Sequence, residues 1–151
     1  MKLIQAADVM KITGLSADQL REWTVRRGLI QPDIVPSGSG TRAKFTWQTV
    51  LLLRLAVVLR ETFHAELQAH RDLLDALGTC LSNTSFPALQ GMVLVIRAQN
   101  DFELLLAGDA AMRTGDRLML ELDPHLEVLS TRFGMSKPLQ QLPLFPAVAV
   151  R

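Results

Sequence analysis

At 151 residues, 48% hydrophobic and 21% charged, the chain is long enough for one domain, or a small domain with an appendage, and its composition excludes a disordered tail. Its single cysteine, Cys80, excludes an intrachain disulfide and a thiolate-rich metal site, and favours a reducing compartment. The net charge of +1 hides an asymmetry: residues 1–60 carry nine Lys/Arg against four Asp/Glu, and the rest carry seven against eleven. A basic head therefore precedes a mildly acidic body, the distribution that phosphate binding needs.

The N-terminus, from Met1 to Asp8, lacks an uninterrupted apolar stretch and does not read as a secretory signal, so the chain is read as cytoplasmic. Residues 6–12 form a first short helix, which Gly14 stops. Ser16 opens the next helix with Gln19 three positions on, the spacing of a capping box. That helix runs to about Arg27 and ends at Gly28. Between Gln31 and Thr46 the chain is irregular, with Pro32, Pro36, Ser37, Gly38, Ser39 and Gly40. This predicts a glycine-tipped loop or hairpin with Arg42 and Lys44 on its return arm. A third, strongly apolar helix spans residues 47–63. Its longest apolar run, Val50 to Leu59 interrupted by Arg54, falls short of the about 20 residues that span a bilayer. Residues 66–81 give a fourth helix, with Leu67, His70, Leu74, Leu77 and Leu81 in one stripe. The stripe either packs on its own domain or pairs with a second copy.

The polar segment from Ser82 to Pro87 marks a boundary. Beyond it, residues 92–97, 102–107, 117–122 and 126–130 read as short strands. Asn100-Asp101, Gly108-Asp109, Gly115-Asp116 and Asp123-Pro124 punctuate them as turns. A small antiparallel meander is expected, although leucine is common enough in these runs to leave a helix open in one of them. The tail after Phe133 contains Pro138, Pro143 and Pro146 and is expected to be extended.

Taken together, Ile12-Thr13-Gly14-Leu15-Ser16, then Leu20-Arg21 and Trp23, then Arg27-Gly28-Leu29-Ile30 resemble the head of MerR-family regulators. The segment Gly40-Thr41-Arg42-Ala43-Lys44-Phe45-Thr46-Trp47 is similar to that family's wing, and Leu53-Arg54-Leu55 to the helix after it. The resemblance covers roughly residues 3–75. It implies a winged helix-turn-helix of four helices with a β-hairpin wing over residues 1–82; with the small antiparallel β subdomain read over 90–132 and the extended tail over 133–151, the expected fold is α+β.

The implied partner is double-stranded DNA, with the second helix in the major groove. Ser16, Ala17 and Gln19 sit at that helix's N-terminal turn, where Gln19 is expected to bond an adenine edge or a phosphate. Arg21, Arg26 and Arg27 reach the backbone, and Thr41, Arg42 and Lys44 supply the wing contacts. Trp23, Trp47 and Phe45 belong to the core. Asp18 and Glu22 depart from the family, which commonly has a basic residue and an aromatic there. Carboxylates near a polyanion cost affinity, unless they select cytosine amino groups or neutralise Arg21 or Arg26 one turn away.

His64 and His70, six residues apart, share no helical face and imply no metal site; no cofactor is expected. Neither a phosphate loop nor a nucleophile elbow appears, so no enzymatic activity is expected. In the tail, Gln141, Leu142, Leu144 and Phe145 resemble the short peptides by which bacterial replication and repair proteins dock on the sliding clamp. Chance in a leucine-rich chain, or packing on the β subdomain, is the favoured explanation of them. The resulting expectation is a sequence-specific, homodimeric transcriptional regulator. The alternatives are a phage- or plasmid-type architectural protein, of the excisionase or terminase small-subunit kind, and a replication or repair adaptor on the sliding clamp.

Overall fold

A computed structural model describes residues 2–135, and the tail residues Gln141, Leu142, Leu144 and Phe145 lie outside them. Strand β1 (Ile4–Gln5) leads into helix α1 (Ala6–Thr13). Gly14 ends α1 with φ 76°, a left-handed turn that glycine adopts without strain, and its N–H bonds the Met10 carbonyl at 2.8 Å. Helix α2 (Ala17–Arg21) starts on the expected capping box: Gln19 N donates to Ser16 Oγ at 3.1 Å, and Ser16 N donates to Gln19 Oε1 at 3.0 Å. The helix then widens into a π turn over Glu22–Arg26, closed by Arg27 N on the Glu22 carbonyl at 2.8 Å.

Strand β2 (Lys44–Phe45) pairs antiparallel with β1, placing Ile4 opposite Phe45 and Gln5 opposite Lys44. Ile34 and Lys44 exchange two backbone hydrogen bonds of 3.1 Å. The glycine-containing segment is therefore closed at its base as an antiparallel loop. Helix α3 (Trp47–Glu61) begins at Thr46, which Asp33 holds across the base of that loop: Thr46 N donates to Oδ2 at 2.7 Å and Thr46 Oγ1 to Oδ1 at 3.1 Å. A tight turn, Leu67–His70, precedes α4 (Arg71–Ser82). Leu73, Leu74, Leu77 and Leu81 of α4 are at most 1% exposed and pack in the same core as α3. The predicted stripe is thus buried within the chain, and His70, a member of it, is half-buried.

The C-terminal part contains β3 (Met92–Ala98), β4 (Asp101–Leu106), α5 (Ala107–Ala111), β5 (Leu118–Glu121) and α6 (Asp123–Phe133). The sheet is antiparallel, but its order is β4-β3-β5 rather than a meander. β3 reads Met92-Val93-Leu94-Val95-Ile96, and Val93 to Ile96 are all buried. A strand apolar on both faces belongs in the centre. The β4–β5 connection therefore crosses over, and Gly108-Asp109, expected as a turn, lie in its short helix α5. Residues 126–130, expected as a strand, belong to α6. Asp123-Pro124 starts that helix instead of ending a strand, because proline suits the first helical turn. Leu126, Leu129 and Phe133 then face inward at helical spacing.

One apolar cluster runs from Ile4 through α3 and α4 to Leu126, Leu129 and Phe133, so the C-terminal helix shares the core of the N-terminal helices. At that seam Arg54 of α3 donates to His125 Nδ1 of α6 at 3.0 Å and to the Ile12 carbonyl of α1. Among the described residues no helix is long and apolar enough to cross a membrane.

Candidate nucleic-acid interface

The surface of α2 and its π turn is set by which residues the core takes. Leu20, Trp23 and Thr24 are buried, with the Thr24 hydroxyl donating to the Leu20 carbonyl at 2.7 Å. Arg60 covers the Trp23 ring, its guanidinium carbon 5.6 Å from the ring centroid, a cation–π contact. Trp47 and Phe45 are buried as expected, and Trp47 meets Phe86 edge-on at 5.1 Å. Ala17, Asp18, Arg21, Val25, Arg26 and Arg27 remain exposed.

The expected polar and charged contacts of this helix fall into three groups. Ser16 and Gln19 are tied to each other by the capping box, and Gln19 Oε1 is already an acceptor there. Only its Nε2 donor is left, which suits a phosphate oxygen; a bidentate adenine contact needs both groups. Arg21 is exposed and makes no ion pair among the described residues. Arg26 and Arg27, by contrast, converge on Glu22: Arg26 Nη1 lies 3.2 Å from Oε2 and Arg27 Nε 2.9 Å from Oε1. These two guanidiniums, Arg27 foremost, hold the Glu22 carboxyl below its ordinary range, so it is ionised at neutral pH. Arg27 is gripped further by Glu66 Oε1 at 3.8 Å, and its carbonyl accepts from Arg71. Glu22 thus pairs with Arg26 but not with Arg21.

In the loop, Thr41 donates to the Ser37 carbonyl at 3.4 Å and Arg42 Nη1 to Gln5 Oε1 at 3.3 Å. The second bond is to a neutral amide and leaves the arginine's charge uncompensated. Lys44 is exposed on β2, with no carboxylate partner among the described residues. The basic pair therefore stands beside β1 and the start of α1.

Sequence reasoning missed Val25, Gln5 and Glu66. Val25 is 66% exposed although β-branched and apolar, and it lies one helical turn beyond Arg21. An exposed aliphatic on this surface was the signal available from helical spacing. The Gln5–Arg42 and Glu66–Arg27 contacts join residues 37 and 39 apart, which no local pattern announces.

The model of the MerR HTH family regulatory protein matches residues 5–77, from β1 into α4. No curated protein and no solved structure matches the chain. With its capped second helix following a glycine turn, residues 5–77 constitute a helix-turn-helix head of the MerR family.

Proposed function

We propose that the chain is a non-enzymatic, cytoplasmic transcriptional regulator of MerR-like type that binds double-stranded DNA as a homodimer. The observation that carries this reading is the exposed face of α2 within a head that matches the family, where Arg21 stands free of any carboxylate among the described residues. The helix enters the major groove, and Arg21 contacts phosphate. The loop between Ile34 and Lys44 serves as the wing, presenting Thr41, Arg42 and Lys44 to the neighbouring backbone. Because the α4 stripe is buried within the chain, the dimer contact falls to the C-terminal part, where Leu106, Met112 and Met119 are exposed.

The test is fluorescence anisotropy with a mixed-sequence duplex across a salt series, for wild type and Arg21→Ala/Arg42→Ala. Wild-type affinity is expected to fall steeply with salt. The double variant should bind more weakly, with a log–log salt slope shallower by about 2 per head, one for each phosphate that is no longer neutralised. The same titration is expected to show two chains per bound duplex. A folded wild-type protein that does not bind at low salt overturns the reading.

A further inference from the structure

Taking the proposed DNA reading of α2 as its basis, we infer that Glu22 is an internal competitor for DNA phosphate. It holds Arg26 and Arg27 on one carboxylate, and DNA has to displace it before either guanidinium reaches the backbone.

The π turn makes this arrangement possible. At about 3.6 residues per turn, a residue five positions along an α-helix lies about 140° away round the axis and does not face its partner. The wide turn closed by Arg27 N on the Glu22 carbonyl brings that residue back over Glu22, beside the ordinary four-residue neighbour Arg26. Each carboxylate oxygen then takes one guanidinium, at 3.2 and 2.9 Å. π turns recur at functional sites because they re-aim side chains, and here the wide turn sets two cations against one anion. The arginine side chains are 58% and 47% exposed and that of Glu22 33%, so the cluster stands at the surface where an incoming phosphate meets it.

The chemistry of exchange is like for like, since a phosphate oxygen offers arginine the same charged acceptor as the carboxylate does. While Glu22 is in place, neither arginine contributes fully to counterion release. Arg26 has only this partner among the described residues, whereas Arg27 is also held at Glu66, so Arg26 is the first to transfer.

The test compares DNA affinity and salt slope for wild type, Glu22→Gln, Arg26→Gln/Arg27→Gln and the triple combination, after circular dichroism has shown each to be folded. Glu22→Gln is expected to tighten binding about fivefold near ~0.1 M salt and to steepen the salt slope by about 1–2. In the Arg26→Gln/Arg27→Gln background the same change should give little gain. An equal gain there would show simple relief of like-charge repulsion and overturn the inference. In a chain that keeps Glu22, Arg26→Gln/Arg27→Gln is expected to cost less affinity than Arg21→Ala. A cost as large as that of Arg21→Ala overturns the inference even if Glu22→Gln fails to fold. Wild-type binding that Glu22→Gln leaves unchanged or weakens defeats the competitor role and leaves the DNA reading standing. Absence of binding by both wild type and Glu22→Gln at low salt defeats both.

Discussion

Lowering the pH through the range in which a free histidine titrates should loosen the seam between α6 and the N-terminal helices. Burial, and then the charge of Arg54, push His125 down from 6.5 to about 4. Its Nδ1 accepts from Arg54, which requires that nitrogen to be unprotonated. An unfolded chain takes up the proton near the ordinary value, and the folded chain only near 4. Between those values the unfolded state binds more protons, so stability is fully present above about 6.5 and is lost as the pH falls toward 4. At about 1.4 kcal/mol per pH unit the displacement corresponds to about 3 kcal/mol, and solvent screening of the half-buried ring reduces this to about 1–2 kcal/mol. Urea unfolding of wild type and His125→Gln, between about pH 7 and about pH 4.5, isolates the effect, because all other titrating groups are common to both. Wild type should lose about 1–2 kcal/mol more than the variant across the window. Parallel loss in the two proteins would refute the assignment of this proton linkage to His125.

Two further outcomes follow from the same geometry. In the proposed complex Val25, exposed one turn beyond Arg21, meets a thymine methyl group. Once a preferred site has been selected, replacing its thymines by deoxyuridine should weaken wild type several-fold more than Val25→Ala, and equal weakening would remove Val25 from the contact. Gly78→Ala should stabilise the protein by about 0.5 kcal/mol, raising Tm by about 1–2 °C. The added Cβ meets only Leu52 Cδ2, at 3.2 Å, and both residues line an open groove into which that methyl can swing. Destabilisation in thermal unfolding would show that Leu52 is locked.

The parts of the fold legible in the sequence were those encoded within a few residues. Gly14 and the Ser16–Gln19 pair announce a helix end and a helix start through bonds they make themselves, and the structure contains both. The 3.6-residue stripe of α4 was equally local, although periodicity does not say which partner buries it; α3 does. Where two local readings competed, the non-local context decided. Leu126 to Ser130 is too short a window to distinguish strand from helix, and Asp123-Pro124 serves as readily for a helix N-terminus as for a turn. The sheet order depended on β3 being covered on both faces, which needs the tertiary packing to be known.

The candidate site shows the same division. Its residue types were legible, but their pairing was not. Asp18 and Glu22 stood out as acidic departures on a basic helix, and an α-helical wheel offers Glu22 the partner Arg26. It does not offer Arg27, because nothing in Glu-Trp-Thr-Val-Arg signals a turn one residue wider than usual. Arg54 is similar: a lone arginine inside the most apolar helix reads as an interruption until a histidine 71 residues away supplies its acceptor.

The pairing also bears on how many chains must act together. Of the proposed contact residues of each head, the cations free of carboxylates among the described residues are Arg21, Arg42 and Lys44, because Arg26 and Arg27 are committed to Glu22. Three phosphate contacts give a salt slope of about −3, the slope of weak non-specific binding, whereas two heads acting together give about −5 to −6. Tight, specific binding therefore needs either a second head or release of the Glu22 pair, and the two routes differ in stoichiometry. A dimer doubles the slope without changing the slope per head. Displacing Glu22 raises the slope per head and requires the carboxylate to leave two close partners. The buried α4 stripe takes the first helix face considered for dimerisation out of play. The proposed dimer must then form through the C-terminal part, and α6 of that part is joined at His125 to Arg54, which also bonds the last turn of α1, two residues before the glycine that aims α2.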